Sequence, residues 1–100
     1  MPYEDTFSAL SHPLRQKILL SLRDAPASVG ALTEALPASQ PVISQHLRTL
    51  SEAGLVSVTA QGNRRIYALE PSALLQLKTF IETEWQALFD DIRNEATHDD

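Results

Sequence analysis

Residues 39–56 combine a periodic apolar side with an uncharged polar side whose groups can hydrogen-bond to another molecule. Gln45 carries an amide that can pair bidentately with adenine, and Val42 offers an apolar surface for a thymine methyl group. At 100° per residue, an apolar set turns to the opposite side, toward a core: Ile43, Leu47 and Leu50. This pattern predicts a helix that reads base edges in a DNA major groove.

We expect one set of residues on this helix to contact DNA: Gln40, Pro41, Val42, Ser44, Gln45, His46 and Arg48. Ser44 and the N–H groups at the amino end suit phosphate or base acceptors, and Arg48 suits a phosphate. Gln45 has an alternative interpretation as a solvated surface residue. His46 lies beside the core face, where a packed, hydrogen-bonded histidine is the alternative. Glu52 would repel phosphate, so the carboxyl end of the helix must tilt away from the duplex.

Two more arginines, Arg64 and Arg65, follow a Gly-Asn pair that separates two runs of alternating residues, 55–60 and 64–69. Alternating runs around such a pair predict a β-hairpin. Arginines at its tip suit phosphates or a narrow minor groove, and pairing with acidic side chains is the alternative.

The elements that must position these groups are a series of short helices. Apolar spacing predicts helices over residues 6–10, 13–23 and 29–36 ahead of the polar-faced helix. Ser28 and Ser39 are expected N-caps, and Gly54 is expected to end the fourth helix in the left-handed conformation. The predicted fold is mainly helical with a small β-hairpin. It is a winged helix-turn-helix with five helices, in which residues 28–54 form the helix-turn-helix and 55–69 the wing between the fourth and fifth helices.

Pro71 opens a final helix that is predicted to run to about Asn94 and to carry a long, wide apolar stripe. A small domain cannot cover such a stripe alone, so we expect a homodimer that forms through the first and last helices, although docking of the stripe on its own domain is the alternative. The expected dimer residues are Phe7, Leu10, Leu77, Ile81, Trp85, Leu88 and Ile92. Residues 1–94 would form one domain, and 95–100 a disordered acidic tail.

The net charge of −5 is distributed unevenly over the 100 residues. Residues 39–69 carry +2, whereas residues 1–38 carry −1 and residues 70–100 carry −6. The polar-faced helix and the hairpin can therefore face a polyanion in spite of the acidic total.

The sequence also bears on location. It has no cysteine and no apolar run near the ~20 residues that span a bilayer, and its acidic amino terminus is unlike a signal peptide. We therefore expect no membrane partner and a cytoplasmic location.

Four segments resemble the ArsR/SmtB family of bacterial winged-helix repressors. Leu10-Ser11-His12-Pro13-Leu14-Arg15 resembles the opening motif, and Ser28-Val29-Gly30-Ala31-Leu32 resembles the start of the third helix. Residues 39–56 resemble the recognition helix, and Gly62-Asn63-Arg64-Arg65-Ile66-Tyr67 resembles the wing. The resemblance implies a homodimer that binds double-stranded DNA at an inverted-repeat operator and is released by a ligand or a metal.

Departures from the family pattern concern the signal. Metal-sensing relatives carry cysteines at positions where this chain has Val29, Gly30 and Ala31, and others place Asp, His and Glu ligands on the last helix, which here has no histidine before His98. The resemblance is therefore to the metal-independent, cysteine-free branch, which includes an autorepressor type. We expect no metal site and no cofactor, and the small-molecule effector is unassigned.

Two other classes of function are weighed against a DNA-binding regulator. Catalysis is not expected, because Ser44 and His46 do not face each other on a helix and no phosphate loop or His-Glu-x-x-His run is present. A winged-helix module that binds a partner protein remains the alternative, which aromatic residues on the wing or the recognition helix would favour. Those segments offer only Tyr67.

Overall fold

The computed structural model describes residues 3–97, and six helices and three strands follow one another within them. In chain order they are α1 (Glu4–Leu10), α2 (Pro13–Asp24), β1 (Ala27–Ser28), α3 (Val29–Ala35), α4 (Gln40–Glu52), β2 (Val56–Gln61), β3 (Arg64–Leu69), α5 (Pro71–Glu84) and α6 (Gln86–Thr97). The predicted mainly helical fold with a hairpin wing is confirmed.

Local sequence signals begin and end the central helices. The His12 Nδ1 accepts a hydrogen bond from the Leu14 N–H at 3.2 Å, and Pro13 occupies the first turn of α2, where its missing N–H costs nothing. The Ser28 hydroxyl caps α3 by accepting from the Ala31 N–H at 3.2 Å. Ser39 precedes α4 with an extended backbone, but its side chain makes no cap bond. The predicted serine cap is thus confirmed for α3 and wrong for α4 in this respect.

The core lies where α2, α3 and α4 meet. Its largest fully buried side chains are Ile18, Leu32, Ile43, Leu47, Leu50 and Leu55. The three expected core residues of α4 are all 0% exposed, as the helical period predicts. Truncating one of them to alanine would cost about 2–5 kcal/mol of the free energy of unfolding. This packing fixes the rotation of α4 and therefore the direction in which its polar face points.

The hairpin belongs to a three-stranded antiparallel sheet in the order β1-β3-β2. Gly62 has a φ of +64° in the turn between β2 and β3, which glycine adopts without a steric penalty. The sequence did not predict β1, where Ala27 pairs with Tyr67 and Ser28 with Ile66. This two-residue strand ties the start of α3 to the base of the wing.

The predicted single final helix is wrong in its continuity, because it divides at Trp85 into α5 and α6. Trp85 has φ −109° and ψ 0°, outside regular helical geometry, and its indole lies within 6.5 Å, between ring centroids, of Phe7, Phe80 and Phe89. The break between α5 and α6 therefore lies within an aromatic cluster that joins α1, α5 and α6. The disordered tail over residues 95–100 stays a prediction: α6 is described as far as Thr97, and residues 98–100 lie outside the described part.

The molecule measures 64 × 25 × 22 Å along its principal axes. One long dimension is expected when a terminal helix extends beyond the domain on which the others pack. Over the described residues, none of the helices has the length and apolar character to cross a membrane.

Candidate nucleic-acid interface

The amino-terminal part of α4 presents a mainly polar face to solvent, in which Pro41 and Val42 are the apolar members. Six of the seven residues predicted to contact DNA from this helix are exposed: Gln40, Pro41, Val42, Ser44, Gln45 and Arg48. The first turn holds no acidic residue, and the first turn of a helix leaves N–H groups without a partner inside the helix. The face can therefore donate and accept hydrogen bonds without repelling a phosphate.

Arg48 and Glu52 lie toward the carboxyl-terminal end of α4. The Arg48 Nε lies 3.7 Å from the Glu52 Oε1 one helical turn away, and both side chains are largely exposed. An exposed ion pair of this kind contributes between about 0 and 1 kcal/mol, so it leaves Arg48 free to turn toward a phosphate.

His46 lies differently from the other predicted contacts. It is half-buried, its Nδ1 lies 3.3 Å from the Arg15 Nη1, and its ring centroid is 4.4 Å from that of His12. Burial lowers the pKa of His46 below its ordinary value of 6.5, and the neighbouring His12 and Arg15 lower it further. The structure thus places this residue against α2, at the side of the polar face.

The wing contributes its two arginines to two adjoining grooves, one against α3 and one against α4. The Arg64 Nη2 donates to the Ser28 Oγ at 3.0 Å, and its side chain lines a groove of about 530 Å³ together with Gln40 and Asn63. The Arg65 side chain lines this groove too. The Ser28 hydroxyl therefore caps α3 and also accepts a hydrogen bond from Arg64, a residue that is predicted to contact DNA.

A second groove of about 460 Å³ separates α4 from the wing. Its polar walls are Ser44 and Arg48 from the helix and Arg65 and Tyr67 from β3, and Glu52 also lines it.

Helix and wing thus form one concave surface, which we call the reading surface: the exposed residues 40–48 of α4 together with Asn63, Arg64 and Arg65. The contributions of Asn63, Ser28 and Tyr67 were not expected from sequence, because they depend on how β3 is placed beside α3 and α4.

The residues predicted for dimerisation divide into two groups. Leu77 is buried within the single chain, Leu10 packs against its core, and Phe7 is half-buried and stacks on Trp85 at 6.5 Å. The others form an apolar face on α5 and α6 that the chain does not cover. Ile81 is partly buried there, whereas the exposed members are Trp85 at 40%, Leu88 at 52% and Ile92 at 53%, with Leu75 and Phe89 beside them.

Among the residues whose side chains the structure describes, no group of three or more His, Asp or Glu could hold a metal ion. His98, the histidine that follows the predicted last helix, lies outside the described residues.

Comparison with known proteins gives concordant results. The family model described as "Bacterial regulatory protein, arsR family" matches residues 12–58, which include α2, α3 and α4. The chain is 39% identical over 79 residues to the HTH-type transcriptional regulator Rv2034 of Mycobacterium tuberculosis, a match that covers 79% of this chain and 74% of that protein. It is 34% identical over 70 residues to the transcriptional repressor SdpR of Bacillus subtilis, covering 70% of this chain and 78% of the repressor.

Solved structures extend the similarity to nearly the whole chain. The structure of an ArsR-like transcriptional regulator from Rhodococcus sp. RHA1 superimposes with a TM-score of 0.81 and 28% identity, covering 99% of this chain and 94% of that one.

Proposed function

The chain belongs to the ArsR family of DNA-binding transcriptional regulators, and from this premise we propose that it is a repressor that binds an inverted-repeat operator as a homodimer. It is not an enzyme, because the family and the relatives it matches are transcriptional regulators. The proposal concerns the form of the operator, the oligomeric state and the residues in contact with DNA.

The observation that carries the proposal is the reading surface. Ser44 and Arg48 of α4 and Arg65 of the wing line one groove, while Gln40 and Arg64 line the next. A helix of this width fits the major groove, where Gln45 would read a base edge and Val42 would pack on a thymine methyl group. The wing arginines would then meet phosphates or the adjacent minor groove.

The apolar face on α5 and α6 supports the homodimer. A symmetric pair buries the same face on both copies, and it brings two recognition helices to one side of the duplex. Two half-sites that are one DNA turn apart require the two recognition helices to lie about 34 Å apart. An inverted repeat is the DNA sequence that matches such a two-fold axis.

The missing thiols bear on the signal. The sequence has no cysteine, so we propose that metal is not sensed through cysteines and that release from DNA depends on a small molecule, on a bound partner or on concentration alone. A regulator of this kind would act in the cytoplasm, where its DNA is.

The proposal is tested by selection from a library of random 30-bp duplexes, followed by sequencing of the bound fraction. We expect enrichment of an inverted repeat with half-sites about 10 bp apart, centre to centre. Arg65→Glu should abolish the enrichment because it puts a carboxylate where the phosphate lies. Arg23→Glu changes the same charge at the exposed end of α2 and should leave the enrichment intact.

Failure of the wild-type protein to enrich any sequence at low salt would contradict the proposal and favour the protein-interaction module instead. Equal loss for Arg65→Glu and Arg23→Glu would show that net charge, and not the reading surface, governs binding.

A further inference from the structure

Arg15 connects the end of α1 to the recognition helix. Its Nε donates to the Ala9 carbonyl oxygen at 2.7 Å and its Nη2 to the Ser8 carbonyl oxygen at 3.0 Å, so the guanidinium binds the carboxyl end of α1. Its Nη1 lies 3.3 Å from the His46 Nδ1 on α4. A guanidinium is only a donor, so this contact requires the His46 Nδ1 to be an acceptor. The imidazole is then neutral, with its proton on Nε2.

His12 completes the arrangement from the start of α2. Its ring centroid lies 4.4 Å from that of His46 at an interplanar angle of 48°, and its own Nδ1 accepts from the Leu14 N–H. His46 is therefore contacted from two positions of the opening segment, residues 8–15: by Arg15 and by His12.

The charges around His46 from α2 are unfavourable to an imidazolium. Burial, then His12, then Arg15 all lower the pKa of His46. Protonation would remove the acceptor from Nδ1 and place a second cation 3.3 Å from the guanidinium. The contact with Arg15 exists only in the neutral form.

The other elements packed against α4 do not offset the positive charge that a protonated His46 would carry. Asp5 of α1 lines a separate cleft with Glu52, whose carboxylate pairs with Arg48. Glu34 of α3 lines the groove beside Gln40, and β2 has no charged residue. Within the described residues, His12 and Arg15 are thus the charged or titratable side chains that act on His46.

We propose that His46 is a positioning residue, through which Arg15 and His12 hold the recognition helix in the orientation that binds DNA, and that this hold is released when the imidazole takes up a proton. The inference rests on the proposed function, because it concerns how the reading surface is oriented. It replaces the expectation that His46 touches DNA with a role beneath the surface.

The two roles differ in the sign of their pH dependence. A histidine that contacts a phosphate binds more tightly once it is protonated, so affinity for DNA would rise as the pH falls. A histidine that must stay neutral to hold α4 links DNA binding to proton release, so affinity falls as the pH drops through the lowered pKa of His46.

The test measures the Kd for a duplex obtained from the selection above, by fluorescence anisotropy at constant ionic strength between pH 7.5 and 5.5. We expect the Kd of the wild-type protein to rise on acidification, by up to about tenfold per pH unit below the lowered pKa of His46, since that is the limit for one linked proton. His46→Gln keeps an acceptor for Arg15 but cannot titrate here, so it should bind within about threefold of the wild type at pH 7.5 and show a flat profile. His98→Gln removes a different histidine and should keep the wild-type profile.

A constant or falling Kd of the wild-type protein on acidification would overturn the inference, as would a His46→Gln variant that retains the full pH dependence. The state of the ring is measured independently by ¹⁵N NMR of the free protein, which should find the Nε2–H tautomer and a pKa below 6.5. An Nδ1–H tautomer or a raised pKa would sink the inference even if no duplex bound. Absence of binding at every pH would count against the proposed function instead.

Discussion

At the scale of single residues, the period of α4 accounts for what sequence could predict. Gln45 and Arg48 lie opposite a fully buried apolar side, so their exposure follows from 100° per residue. The partners of His46 and Arg64 were not predictable in the same way. Arg15 lies 31 positions from His46, and Ser28 lies 36 positions from Arg64, so both contacts depend on the packing of distant elements.

Gln45 is the residue whose loss should change specificity. Gln45→Ala removes an amide that can pair with one adenine, so we expect a loss of about 1–3 kcal/mol on the preferred operator and relaxed discrimination at a single base pair. Binding to a panel of operators substituted one position at a time measures this. Gln76→Ala, an exposed glutamine on α5, is the control. An equal loss on every operator would show that Gln45 does not read a base.

Arg64 should act on all DNA sequences alike. Arg64→Ala removes one cation from the reading surface, so we expect weaker binding to every duplex and a reduction of about 1 in the slope of log K against log salt. Titrations over a salt series measure the slope, with Arg23→Ala as the control for loss of an exposed arginine. An unchanged slope would mean that Arg64 stays with the Ser28 hydroxyl in the complex.

At the scale of elements, the sequence predicted those that local signals specify and missed those that depend on tertiary contacts. The bounds of α2 and α4 and of both wing strands agree with the predictions within about two residues, since capping, proline and glycine positions determine them. The strand β1 was missed because two residues carry no period, and its pairing with Tyr67 and Ile66 is non-local. The division at Trp85 was missed because apolar spacing continues through it.

Gly54 determines where α4 ends. Its φ of +76° is a conformation that side chains with a Cβ adopt at a cost, although nothing within 4 Å would contact an added methyl group. We expect Gly54→Ala to lower the free energy of unfolding by about 1 kcal/mol, as measured by urea denaturation. Gly30→Ala is the matched control, because α3 is helical there and the nearest atom, the Ser28 Oγ, is 3.9 Å from the added carbon. That variant should be neutral or more stable, and a loss equal to that of Gly54→Ala would contradict the backbone explanation.

At the scale of the whole molecule, the uncovered face on α5 and α6 is the main departure from a self-sufficient domain. Leu88 and Ile92 are each more than half exposed, and Trp85 joins this face to α1 through Phe7. Sequence predicted the apolar stripe, but which of its residues are already used within the chain, Leu77 above all, required the packing of α5.

Leu88→Glu tests whether that face joins two copies. A carboxylate buried at the seam without a partner is costly, so we expect the variant to sediment as a monomer and to lose about 10²-fold in operator affinity. Leu20→Glu changes an equally exposed leucine on α2 and should leave both the sedimentation coefficient and the affinity unchanged. A variant at Leu88 that remains dimeric would place the interface elsewhere.

The central claim is that two copies of the reading surface bind one duplex symmetrically. Hydroxyl-radical footprinting of the wild-type protein on its selected operator tests this most directly. We predict two protected patches on one face of the DNA, about 10 bp apart and related by a dyad, with flanking minor-groove protection from the wings. A single asymmetric patch, or protection without a dyad, would contradict the account.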